Sequence, residues 1–180
     1  MPEIRGKRAR SRMIIMHAAK ELFEEKGLNH VTFNDIATRA DMCRTTIFNH
    51  FSTINELMLA VMEQEVNDVL SYCGDSRQEG EDLIRAMFEM LIDDTCNYPV
   101  LTAKLVANSI ISVQERPSLA KLEKIIADNL PDMPDREKEQ KVIQLTGIYY
   151  GLVNHYFINN YEFDRRKMKR KFNEMANSIL

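Results

Sequence analysis

Long helical stretches between few chain breakers are the feature that most limits what this sequence can become. Six Gly and five Pro are all that punctuate 180 residues, and between them apolar side chains recur at three- and four-residue steps rather than in alternation. The pattern predicts an all-α fold of about nine helices, over 10–26, 32–40, 44–50, 53–72, 81–96, 100–114, 118–130, 136–160 and 164–180. The break at Pro131 and Pro134 is the firmest, because two prolines in four residues cannot continue a helix. A hydrophobic content of 44% is enough for a real core in a chain of this length.

Local signals sharpen the first four segments. Ile15, Ala19, Leu22 and Phe23 form one stripe that ends at Gly27. Thr32 is a good N-cap with Asp35 three residues on, and Val31 and Ile36 stand where a hydrophobic staple would join them. The third segment turns Ile47 and Phe51 inward, and a second capping box, Thr53 to Glu56, opens a long helix carrying Leu57, Val61, Met62, Val69 and Leu70. Between Val100 and Val113 nine of fourteen residues are apolar and Lys104 is the only charge, so this helix is expected to be buried nearly all round.

Charge is uneven along the chain. Residues 1–51 hold nine Lys/Arg against six acids, a net of +3, while the whole chain is at -3 and the remainder therefore at -6. A basic amino-terminal module on an acidic body suits a protein of which only the first part meets a polyanion. No apolar stretch reaches the length of a membrane span and Met1 to Arg12 has no apolar signal core, so no membrane contact and a cytoplasmic location are expected. Cys43, Cys73 and Cys96 are too scattered for a disulfide framework or a zinc site and are expected to be buried or half-buried. Cys43 and His50 lack a third, orienting group, and no phosphate-cradling Gly-rich loop is present, so neither an enzyme nor a cofactor or metal is expected.

Two short helices about a tight turn, the second reading Arg44, Thr45, Thr46, Ile47, Phe48, Asn49, His50, form a helix-turn-helix pattern. The polar side chains that Ile47 and Phe51 leave outside are those that read base edges in a major groove. A solvated helix of ordinary polar residues fits the pattern alone equally well. The order of residues separates the two. Ile15, Ala19, Leu22, Phe23 and Gly27, then Thr32, Ile36, Ala37 and Ala40, then Thr46, Ile47, Phe48, His50, Phe51, Glu56 and Leu57 together resemble the TetR family of bacterial transcription regulators, without gaps, over about a quarter of the chain.

That resemblance implies a DNA-binding domain over 1–52, an effector-binding and dimerisation domain over 53–180, and a homodimer that binds a palindromic operator, most simply as a repressor released by a small hydrophobic or aromatic effector. It implies that Arg44, Thr45, Thr46, Phe48, Asn49 and His50 line the DNA face, that Thr32 and Thr53 meet phosphates, and that Lys7, Arg8, Arg10 and Arg12 form a mobile basic arm, unless they are a plain tail. Four positions depart from the family pattern: Asp41 replaces a turn Gly, Cys43 a Ser or Thr cap, Phe48 a Tyr and Ile54 a Lys. They weaken phosphate anchoring, and they leave room for a rival reading, a dimeric scaffold that binds chiefly another protein.

In the family the effector pocket follows the linker helix, which here makes Met62, Met87, Phe88, Leu91, Leu105, Asn108, Ser109, Tyr149 and Tyr150 the lining candidates. Asn108 is a lone amide on an apolar helix and needs a partner, either another side chain or a ligand. For dimerisation the candidates are Val142, Leu145, Tyr149, Leu152 and Tyr156, then Met168, Phe172, Met175 and Ile179. Gly147 and Gly151 are spaced to let a partner helix approach, though the same spacing also serves packing within the chain. The cations Arg165, Arg166, Lys167, Lys169, Arg170 and Lys171 oppose the dipole at a helix start and read as a solvated face.

Overall fold

The computed structural model describes the backbone of residues 2–111 and 117–180, and the side chains of 6–104, 106–107 and 119–180. Among the described residues there are nine α-helices and no strand: α1 Pro2–Lys26, α2 Phe33–Arg39, α3 Arg44–His50, α4 Ile54–Asp75, α5 Gly80–Asn97, α6 Pro99–Ile111, α7 Pro117–Asn129, α8 Asp135–Ile158 and α9 Arg165–Ala176, with a 3-10 turn, Leu28–His30, after α1. They form two compact units, Met1–Gln64 and Glu65–Leu180, so α4 contributes residues to both. No helix of the described residues is long and apolar enough to cross a membrane.

In the first unit α1 packs on α2 and α2 on α3. The predicted stripes supply the core: Ile15, Ala19, Leu22, Phe23, Ile36, Ala37, Ile47, Phe51, Leu57 and Val61 are all buried. Gly27, at φ 77, sits beyond the end of α1, where its N–H bonds to the Phe23 carbonyl and only Gly takes that backbone without strain. Thr32 and Asp35 form the expected reciprocal capping box, and Val31 and Ile36 are both buried beside it. The end of α2 is a Schellman motif: Met42 N–H reaches the Ala37 carbonyl and Asp41 N–H that of Thr38, with Asp41 at φ 51. Arg39 grips Glu25 through both guanidinium arms and Glu21 through one, which ties α2 back to α1.

One expectation fails here. Lys7, Arg8, Arg10 and Arg12 are not a mobile arm but part of α1, which starts at Pro2 rather than near residue 10. Arg, Lys and Ala are good helix formers, and Gly6 is the one weak position among them.

The second unit closes around Ile84, Met87, Phe88 and Ile92 of α5, Leu122 and Ile126 of α7, Leu145, Tyr149, Leu152 and Val153 of α8, and Met168 and Phe172 of α9. Phe88 stacks on Phe172 with centroids 4.5 Å apart. A polar ladder runs antiparallel beside this core. Arg165 donates to Asn97 and pairs with Asp93 at 3.0 Å. Lys169 donates to Asp93, and Asn173 links Glu89 and Arg85. The α9 cations read as a solvated face therefore divide: Arg165 and Lys169 face the acids of α5, and Lys171 lies 5.2 Å from the Tyr156 ring centroid. Asp164 caps the helix through the Lys167 N–H, and its carboxyl is held below the ordinary range by that bond first.

The dimer stripe also needs correction. Val142, Leu145, Tyr149, Leu152 and Tyr156 on α8, with Met168 and Phe172 on α9, are buried in this unit's own core, and Ile179 packs partly against it. A helix in a bundle wall needs an apolar stripe to seal its own interior, and spacing cannot say which surface covers it. What remains outside on α8 includes a different line, Ile143 (61% exposed) and Ile158 (70%) beside the exposed Phe157, with Gly147 and Gly151 exposed between them and Met175 exposed on α9. A Cβ added at either glycine would meet nothing within 4 Å. Among the described side chains of α6, Leu101 and Thr102 are interior, Val106 is half-buried and Lys104 and Ala107 are exposed.

Candidate nucleic-acid interface

Helix α3 is anchored along one side and at its far end. Ile47 is 0% exposed and Phe51 1%. Arg12 reaches over from α1, its guanidinium 4.2 Å from the Phe51 centroid and its Nη1 donating to the His50 carbonyl. A cation at a helix carboxy terminus is favourable, so Arg12 fixes the end of α3. His50 is half-buried. Burial, then the charges of Arg8 and Arg12, holds its pKa below the usual imidazole value, which keeps the ring neutral near pH 7.

The opposite side carries Arg44, Thr45, Phe48 and Asn49, all exposed. Arg44 lies over the Phe48 ring, 5.1 Å from its centroid, and Phe48 meets Phe33 edge to face at 4.6 Å and 66°. Thr46 is half-buried, its hydroxyl 3.0 Å from the Cys43 sulfur. Cys43 is the N-cap of α3 but makes no side-chain cap bond. It is exposed, contrary to expectation, and lines an open groove with Asn34, Ala37, Thr38, Asp41 and Met42. The Thr46 hydroxyl, then the Thr46 N–H, lowers its thiol pKa.

Of the two expected phosphate-binding threonines, Thr32 is already occupied. Its N–H and its hydroxyl both donate to Asp35 Oδ2, at 2.8 and 2.6 Å, so neither donor is left for a phosphate. Lys26 holds the other oxygen of Asp35 at 2.6 Å. Thr53 accepts the Glu56 N–H at 3.0 Å and keeps its own proton, while Glu56 reaches back one residue further, to the Ser52 N–H. Lys7, Arg8 and Arg10 are exposed along α1. The structure thus leaves Lys7, Arg8, Arg10, Arg44, Thr45, Phe48, Asn49 and Thr53 facing outward, and engages Arg12, Thr32, Thr46 and His50 wholly or partly within the unit. Sequence reasoning missed Phe33; the signal was an aromatic residue at the first position of a helix, where no core stripe asks for one.

The effector candidates divide as well. Met62 is buried in the first unit. In the second, Met87, Phe88 and Tyr149 are interior, and Leu91 and Tyr150 pack partly buried against them. Leu105, Asn108 and Ser109 lie outside the described side chains. Thr95 donates to the Leu91 carbonyl, so the Tyr149 hydroxyl, 2.9 Å away, is the donor to Thr95. Burial raises the Tyr149 pKa and keeps that donor protonated.

Residues 15–61 match the model of the bacterial regulatory proteins of the tetR family. Among curated proteins, the HTH-type transcriptional activator FasR of Mycolicibacterium smegmatis is 28% identical over 94 residues, which are 48% of this chain and 43% of that protein. The chain thus spans less than half the length of the curated relatives it matches. A crystal structure of a transcriptional regulator from Aquifex aeolicus VF5 superposes with a TM-score of 0.73 over 94% of this chain and 99% of that one, at 19% identity. Thermus thermophilus FadR, described as a transcriptional repressor in complex with lauroyl-CoA, superposes at 0.54 over 94% and 95%, also at 19% identity. At such identities the similarity is one of fold.

Proposed function

We propose that this chain, whose residues 15–61 match the tetR family of bacterial regulatory proteins, is a ligand-responsive transcriptional regulator that binds double-stranded operator DNA as a homodimer. The observation that carries this is α3: Ile47 and Phe51 bury its inner side, and Arg44, Thr45, Phe48 and Asn49 stand exposed on the other. Those side chains fork onto guanine, bridge adenine or pack on a thymine methyl. Lys7, Arg8, Arg10 and Thr53 supply sequence-independent phosphate contacts.

The exposed line Ile143, Gly147, Gly151 and Ile158 on α8, with Met175 on α9, is the dimer face. Large apolar side chains at its ends and two open glycines between them suit the close approach of a second copy. The effector is small and hydrophobic, a reading supported by the apolar and aromatic lining candidates Met87, Phe88, Leu91, Tyr149 and Tyr150 and by the lauroyl-CoA in the Thermus thermophilus neighbour. It acts through α4, the helix shared by both units, by favouring a conformation that meets DNA less well. Repression is the simpler mode of action, although one relative is an activator.

Selection of bound duplexes from a random pool tests this reading. The expected product is an inverted repeat with half-sites about one helical turn apart, released by lauroyl-CoA or a related acyl thioester. Retention of no particular sequence would favour the scaffold that binds another protein.

A further inference from the structure

We propose that Phe33 and Phe48 form an aromatic buttress that aims Arg44 at one guanine in each half-site, so that Phe33 on α2 sets a base preference of α3. The inference rests on the proposed DNA reading and deepens it by naming the base and the residue that positions its reader.

Arg44 is the first residue of α3. A cation there stands against the helix dipole, and among the described residues no hydrogen bond or ion pair of its side chain offsets that. It lies over the face of Phe48, four residues on, at 5.1 Å. Four residues is one helical turn, so the two side chains lie on the same face. A guanidinium over an aromatic ring is held through the ring's quadrupole. Its five N–H donors, which lie in its own plane, stay uncommitted.

Phe48 alone would not define that plane, because its side chain is 42% exposed. Phe33 supplies the missing wall, edge to face at 4.6 Å and 66°, from a half-buried position. Phe33 is fixed in turn, since it follows Thr32, whose N–H and hydroxyl are both bonded to Asp35. Asp35 is held by Lys26 of α1. The chain of contacts therefore runs from a rigid cap through two rings to one planar, two-pronged donor. A phosphate is satisfied by a point charge in any orientation, whereas the O6 and N7 edge of guanine is matched best by a fork held in one plane. The arrangement matches the second requirement.

The test uses the full chain and a duplex selected by it from a random pool, with each guanine replaced in turn, beside a random duplex. Phe33→Leu should reduce discrimination at one symmetric guanine pair roughly two- to five-fold, the size of an exposed cation–π contact. Affinity for the random duplex should not change. Phe33→Tyr should restore the preference, and Arg44→Lys should abolish it at the same base pair with the charge kept. Equal loss on every duplex, or discrimination that survives Phe33→Leu but not Arg44→Lys, would overturn the inference. If the wild-type chain selects no sequence, the DNA reading itself has failed. The buttress is then tested in the free protein, where the ring-current shift of the Arg44 side chain should collapse in Phe33→Leu and Phe48→Leu. A shift unaffected by either variant would overturn it.

Discussion

Replacing Asp41 tests how the helix-turn-helix is held at the angle that any groove reading requires. Asp41 stands at φ 51 beyond the end of α2, where Met42 N–H bonds to the Ala37 carbonyl at 3.0 Å. The left-handed conformation costs an ordinary L-residue about 1–2 kcal/mol and Asp rather less, whereas Gly adopts it freely. Gly also raises the entropy of the unfolded chain by about 0.4–1 kcal/mol. The difference leaves Asp41→Gly more stable by about 0.5 kcal/mol, or about 2–4 °C in Tm for a unit of this size. Asp41→Ala should move the other way by about 1 kcal/mol, because Ala has no side-chain oxygen to ease the strain. Asp41→Asn tolerates the same backbone and removes the charge, so it should leave stability nearly unchanged. The assay is thermal unfolding of the three variants, with amide hydrogen exchange of α2 and α3 to localise the effect. If Gly and Ala shift stability in the same direction, the strain argument at this turn is wrong.

Three further outcomes follow from separate parts of the molecule. Gly151→Leu should leave the monomer folded, since an added Cβ meets nothing within 4 Å, yet shift sedimentation to monomer, whereas an intact dimer would move the interface off α8. Asp35 has its pKa lowered, first by Lys26 and then by Thr32, so its contribution to stability is present above the ordinary aspartate value and lost as pH falls below about 4. The stability gap between wild type and Asp35→Asn should be flat from about pH 5 to 7 and shrink below about pH 4; a gap independent of pH would assign Asp35 a role other than its charge. Ile54→Lys should add one phosphate contact per subunit and steepen the slope of log affinity against log salt by about 1.8, and an unaltered slope would mean that this end of α4 does not approach DNA.

Much of the fold was legible because helix signals are local. The box at Thr32 and Asp35, the break at Gly27 and the bounds of α3 come from caps and turns that neighbouring residues determine. The strain at Asp41 could be foreseen because its position asks for a glycine. What escaped the sequence depends on partners far along the chain. Thr32 is the exception, since the Asp35 that takes its hydroxyl proton is only three residues on and was legible, and only Lys26, which holds the other oxygen of Asp35, lies farther off. Arg12 reads as one more cation of a basic run, but its guanidinium closes the end of α3. The apolar stripes of α8 and α9 have one spacing whether a partner or the chain itself covers them, and here the chain does. Arg165 and Lys169 were readable only against Glu89 and Asp93, which share their four-residue step on α5.

Whether α3 reads base sequence is decided by affinity for a selected duplex and for its scrambled counterpart, each across a salt series, in wild type and Asn49→Ala. Wild type should prefer the selected duplex by at least about 10³-fold at physiological salt. The two proteins should show parallel phosphate slopes, with a loss of about 1–3 kcal/mol in Asn49→Ala confined to the selected duplex. Equal affinity for both duplexes in wild type, or an Asn49→Ala loss of the same size on each, would contradict base reading by α3.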